Sequence, residues 1–232
     1  MTAEDQKKAA ALAALDYIKP GMKVGLGTGS TANHFITALA DKVQQEKLDI
    51  ECVATSRASF QLASRLGLTM TNLDKQPRLD ICVDGTDEFD GKFQLIKGGG
   101  GAMLIEKIVA TSARYMVVIA DESKKVSSLG KFPLPIEVVP FGVNATAWKI
   151  ERALRLLNLK GKLVLRVKDG KAFETDSGNV IIDAALGHIP DPGRLTALLN
   201  SIPGVVEDGL FVDVCGIVLM GTKDGVKTFR KG

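Results

Sequence analysis

Four short strand candidates shape the first half of the chain: residues 23–26, 50–55, the nearly all-apolar 79–83 and the fully apolar 115–120. Between them lie segments whose apolar residues recur at helical spacing: 30–43, with Phe35, Ile36 and Leu39 on one face, then 59–66 and 104–113. Strands that are apolar on both faces belong in parallel sheets covered by helices. The alternation therefore predicts an α/β fold with a Rossmann-like parallel-sheet domain, and ligands of such sheets sit beyond the carboxyl ends of the strands. Ahead of the first strand, Thr2 and Asp5 form a capping signal for a helix that carries Ala9, Leu12, Ala13 and Ile18 and stops before Pro20-Gly21.

The pattern changes at Phe132-Pro133-Leu134-Pro135. A strand (136–139), a helix (146–157), two strands (163–167 and 180–186), a helix (192–201) and a strand (205–214) follow. This β-α-β-β-α-β order predicts a smaller ferredoxin-like α+β domain. Residues 215–220 and 225–229 read as strands returning to the first domain. The expected division is 1–131 plus 207–232 for the α/β catalytic domain and 132–206 for the ferredoxin-like one.

Thirty Lys and Arg against 27 Asp and Glu give a formal charge of +3, and no basic segment is interleaved with aromatics, so nucleic acid is not an expected partner. Cys52, Cys82 and Cys215 are odd in number and far apart, which suits neither a disulfide framework nor a zinc cluster. No apolar run approaches the roughly 20 residues that span a bilayer, and the amino terminus, with Glu4, Asp5 and Asp16, lacks a signal-peptide core. The expectation is a cytoplasmic protein with no membrane partner.

Three turns follow the apolar runs. Gly25-Leu26-Gly27-Thr28-Gly29-Ser30-Thr31 joins a strand to a helix, where amides and hydroxyls can meet an anion over the helix start. Ser30 stands where a dinucleotide fingerprint wants Gly or Ala, and the P-loop lysine is missing; the bland reading is a tight turn. Asp84-Gly85-Thr86-Asp87 puts two carboxylates at a strand end, suited to acid–base work or simply to a solvated turn, while a magnesium site would want further oxygen ligands that do not stand out. An aspartyl-phosphatase reading fails because Cys82 occupies the nucleophile's position. Lys97-Gly98-Gly99-Gly100-Gly101 is a costly run unless the backbone approaches something closely, for which a ligand is the expectation. Glu106, in the first turn of the next helix, is a candidate base, although a carboxylate there is also ordinary dipole complementation. Lys124, after the last apolar run, can supply charge to a phosphate. His34 and His188 receive no chemical role, and Trp148 and Met103 read as packing residues.

Taken together, GLGTGSTA from Gly25, VDGTDE from Val83, IKGGGGAM from Ile96, Glu106-Lys107 and ADESKKV from Ala120 resemble the ribose-5-phosphate isomerase A family in order and spacing. The likeness extends to GKFPLPIEVVP from Gly130 and IPGVVEDGLF from Ile202, and so runs the length of the chain. Thr86 and Gly101 depart from it, each standing where that family often has Ala.

The resemblance implies a coenzyme A transferase-like version of the parallel-sheet fold. It also implies interconversion of ribose 5-phosphate and ribulose 5-phosphate in the pentose phosphate pathway. No cofactor and no metal are expected, and the assembly would be a homodimer or a homotetramer. Substrate contacts would fall on Thr28, Gly29, Ser30, Thr31, Asp84, Gly85, Thr86, Asp87, Lys97, Gly98, Gly99, Gly100 and Lys124, with Glu106, Asp84, Asp87 and Lys97 carrying the chemistry. Two rival classes are a sugar-phosphate-sensing regulator and a coenzyme A transferase. The first expects a DNA-binding module ahead of residue 20, and the second a covalent glutamyl adduct.

Overall fold

The computed structural model describes residues 1–231. In chain order its first elements are α1 (Ala3–Ala14), β1 (Lys23–Leu26), α2 (Ser30–Glu46), β2 (Glu51–Ala54), α3 (Arg57–Arg65), β3 (Ile81–Asp84), β4 (Glu88–Phe89), β5 (Leu95–Ile96), α4 (Met103–Ser112) and β6 (Met116–Asp121). Then come β7 (Leu134–Val138), α5 (Val143–Leu156), β8 (Lys162–Leu165), β9 (Val167–Lys168), β10 (Lys171–Ala172) and β11 (Val180–Ala185). The chain closes with α6 (Pro192–Asn200), β12 (Val205–Asp208), β13 (Leu210–Phe211), β14 (Cys215–Thr222) and β15 (Gly225–Arg230). It divides into two compact units, Met1–Thr86 with Ile105–Lys125 and the chain from Asp213 on, and Asp87–Leu104 with Val126–Val212.

The first unit is built on a six-stranded sheet of order β15-β14-β6-β3-β1-β2. All pairings are parallel except the β14–β15 hairpin at one edge. As the apolar runs predict, β3 and β6 are buried throughout. The core joins Val24, Leu26, Ile81, Val83, Val117 and Ile119 of the strands to Phe35, Ile36 and Leu39 of α2. The capping box forms as read: Asp5 N–H donates to Thr2 Oγ1 and Thr2 N–H to Asp5 Oδ2. From β1 the chain steps to β2 on one side and then to β3 on the other, so the strand order reverses at the β1/β3 boundary, the switch point of the sheet.

The second unit holds a four-stranded antiparallel sheet of order β12-β7-β11-β8. With β7, β8, β11 and β12 counted as strands one to four, this is the 4-1-3-2 order of the ferredoxin-like motif, as the sequence predicts. Its core packs Leu134, Ile136, Val138 and Ile182 with Ile150, Leu154, Leu195 and Leu199 of α5 and α6. Pro135 is tolerated inside β7 because it lies beyond the last β12–β7 pair, Asp208 with Ile136, so its missing N–H removes no ladder bond.

Three features differ from the sequence reading. The expected strand 205–214 is two strands, because the chain breaks at Gly209 and β13 leaves to pair with β5. A small β9–β10 hairpin stands where no element was expected. Residues 87–104, 126–131 and 207–212 belong to the second unit, not to the first as expected; β4 and β5 form a three-stranded sheet with β13.

Candidate active site

In the first unit the turns after β1, β3 and β6 lie side by side at the carboxyl edge, because those strands are neighbours in the sheet. Gly27 extends β1 by donating to Val83 O at 2.9 Å. A Cβ on Gly27 would overlap the Asp84 carboxylate, so only glycine fits there. Asp84 ends β3 with no exposed surface, and its Oδ1 accepts from Thr28 N–H at 3.0 Å and Gly85 N–H at 2.7 Å. The carboxylate thereby ties the two turns together.

The Thr28 hydroxyl points into a cluster of hydroxyls, 2.7 Å from Thr55 Oγ1 and donating to Ser56 Oγ at 2.8 Å, while Ser59 Oγ donates to Gly27 O. Gly29, at φ +109°, is the N-cap of α2 and offers no side chain to its first N–H groups. A helix start left uncapped in this way suits an anion. Ser30 is exposed and Thr31 half-buried at that start.

Lys7 of α1, which sequence reasoning passed over, donates to Ser30 Oγ at 3.2 Å. Its signal was absent because only the packing of α1 against α2 brings it there. Lys124 is half-buried in the single 3-10 turn that follows β6. Glu106 is 4% exposed in the first turn of α4, the crossover helix leading to β6.

In the second unit, Asp87 is half-buried, and its Oδ2 accepts from Gly99 N–H at 2.7 Å. Lys97 is 2% exposed, with its N–H on Gly209 O at 2.9 Å and its ammonium 5.6 Å from the centroid of the Phe211 ring. The close approaches that require glycine in this run are to protein. A Cβ on Gly99 would come within 2.7 Å of Asp87 Oδ1, and one on Gly101, at φ +81°, would overlap the Phe173 ring. Phe173 thus fills the space an Ala at 101 would need. Glu88, the other acid of this segment, is buried and accepts from Gly130 N–H and Phe132 N–H, a structural task. His34 pairs with Glu4 and His188 with Ser128.

A parallel sheet with a glycine turn and an acidic turn adjoining at its switch point places the first unit among the α/β proteins that receive ligands at the carboxyl edge. The family model for Ribose 5-phosphate isomerase A (phosphoriboisomerase A) matches residues 51–225. The chain is 55% identical over 226 residues, 97% of each chain, to a ribose-5-phosphate isomerase A of Parvibaculum lavamentivorans. It superposes with a TM-score of 0.91 on the ribose 5-phosphate isomerase A of Methanocaldococcus jannaschii, at 42% identity and covering 99% of this chain and 100% of that one. A D-ribose-5-phosphate isomerase solved in complex with phospho-erythronic acid gives 0.92 at 41% identity, with both chains covered in full. The chain belongs to the ribose 5-phosphate isomerase A family.

Proposed function

We propose that this chain interconverts ribose 5-phosphate and ribulose 5-phosphate, in the non-oxidative pentose phosphate pathway, with Glu106 as the base. Family membership over the whole length carries the activity. The choice of base is supported by the burial of Glu106 in a first helical turn, a sheltered carboxylate. Aldose–ketose exchange removes the C2 proton, leaves an enediolate whose charge spreads over O1 and O2, and returns a proton to C1. One carboxylate can do both. Lys97 and the loop amides stabilise the developing oxyanions as preorganised donors.

The bound acid of the related structure fits this reading chemically, since a planar carboxylate on a short phosphorylated chain resembles an enediolate. Ribose 5-phosphate is mostly a closed ring and must open first. Of the two aspartates, Asp87 suits that proton transfer better, because Asp84 has no exposed surface and two amides on one oxygen. The phosphate is held by Ser30, Thr31, Lys124 and Lys7 at the start of α2, fixing the distance to the reacting carbons.

The chain works as a homodimer in the cytoplasm. Support for self-association comes from the edge strand β8 of the second unit, where Val164 and Leu165 are exposed, and from Phe141, Trp148 and Leu156, which are exposed on or beside α5. The three buried cysteines form no disulfide, as suits a reducing compartment.

The test is turnover of ribose 5-phosphate in excess chelator by the wild type and by Glu106→Gln. The variant should lose about 100- to 10,000-fold in kcat, the range for a positioned acid–base group. A variant within a few-fold of the wild type would remove Glu106 as the base.

A further inference from the structure

Glycines have no side chain to restrict their backbone torsions, so something else must set the peptide planes of the 98–101 run. In the second unit Gly101 N–H closes a turn on Gly98 O at 2.9 Å, and Arg166, between β8 and β9, holds the run from the side-chain side. Its Nη1 donates to Gly98 O at 2.8 Å and to Gly99 O at 3.1 Å. Its Nε and Nη2 form a fork on Asp183 of β11, at 2.9 and 2.5 Å. The guanidinium also lies 5.9 Å from the centroid of the Phe173 ring, the same ring that packs against Gly101. At 15% side-chain exposure it is well sheltered from solvent screening.

In a trans peptide the C=O and the following N–H point in opposite directions. Holding Gly98 C=O on Arg166 turns Gly99 N–H away from it, and that N–H meets Asp87 Oδ2 at 2.7 Å. Holding Gly99 C=O turns Gly100 N–H away from Arg166 in the same sense. A charged donor on each carbonyl also polarises the peptide and strengthens its N–H as a donor. Lysine cannot substitute, since a single ammonium cannot span a carboxylate fork and two carbonyls in one plane.

We infer that Arg166, braced by Asp183, is a positioning residue for the isomerisation. It orients Asp87 through the Gly99 N–H and presents the Gly100 N–H as a donor for the developing oxyanion. The inference rests on the reading of Asp87 and the glycine run as catalytic parts.

The test combines residue-resolved amide hydrogen exchange with steady-state kinetics on Arg166→Lys, Arg166→Ala and Asp183→Asn. Exchange should quicken at Gly99, whose N–H Asp87 accepts, while the first unit keeps its wild-type protection. The kcat should fall roughly 10- to 100-fold, as for a slightly misplaced catalytic group, with KM nearly unchanged. Low millimolar guanidinium should restore part of the kcat of Arg166→Ala and leave the wild type unaffected. Wild-type exchange and kcat in Arg166→Lys and Asp183→Asn would overturn the inference, as would loss of protection throughout the chain with no rescue. A wild type that does not isomerise, in a protein whose Gly99 exchange still answers to Arg166, would remove the isomerase reading and leave the loop positioning intact.

Discussion

The turn after β1 and the run before α4 both set a glycine against an aspartate, but the two aspartates are treated differently. Asp84 fills the space of the side chain Gly27 lacks, is wholly buried, and receives two amides on one oxygen. Asp87 fills the corresponding space at Gly99 but is only half-buried and receives the Gly99 amide. The first arrangement staples adjacent turns of a sheet together. The second leaves a carboxylate with surface to offer a substrate. The same pairing of residue types therefore yields a structural fastening in one unit and a candidate acid–base group in the other, and burial separates them.

A further contrast separates anion binding at the β1 turn from the roles of Lys97 and Asp87, while the base Glu106 lies on α4 in the first unit. The first unit's turn carries an uncapped helix start with Ser30, Thr31, Lys7 and Lys124, groups that suit an anion which does not react. The second unit's run carries Lys97 and Asp87. If that division holds, Lys97→Ala should produce the larger effect, a fall in kcat of about 100- to 1,000-fold, the scale of losing one oxyanion donor, with a small change in KM. Steady-state kinetics on ribose 5-phosphate would check it; a change confined to KM would break the comparison. Lys7→Ala should act on the other side, raising KM roughly 10-fold, the scale of one hydrogen bond to a charged group, with kcat retained. Phosphate-free ribose should likewise be a poor substrate, and efficient turnover of it would show that the first turn anchors nothing.

A smaller effect sharpens the comparison of the units themselves, since Cys52, Cys82 and Cys215 all lie in the first. Burial pushes the Cys52 and Cys215 thiols up to about 12. Both should resist alkylation at neutral pH in the native protein, so mass-spectrometric labelling reports opening of the parallel sheet alone. The sign of the linked stability follows. A thiol raised above its unfolded value of 9.0 binds more protons folded than unfolded between about pH 9 and 12, so its contribution is complete below pH 9 and is lost as pH rises through that window. Rapid labelling at pH 7 would mean that the first unit opens readily.

Much of this was legible in the sequence. Runs buried on both faces announced the parallel strands, and the β-α-β-β-α-β order gave the 4-1-3-2 sheet. Two-residue strands such as β4, β5 and β13 are too short to show a period, so the transfer of residues 87–104 to the second unit was hidden. Lys7 and Arg166 were hidden for a related reason: each reaches its partner through long-range packing, across 23 residues to Ser30 and 68 to Gly98. The glycine run is a place of close approach, as expected, although a ligand was the expected neighbour. The neighbours it approaches are Asp87 and Phe173, which local sequence cannot name.

The central claim is proton transfer through an enediolate by one carboxylate. Ribose 5-phosphate turned over in deuterium oxide and followed by NMR tests it directly. Deuterium should appear at C1 of ribulose 5-phosphate with the wild type, and both exchange and turnover should be lost with Glu106→Gln. Wild-type exchange and turnover retained in Glu106→Gln would contradict it.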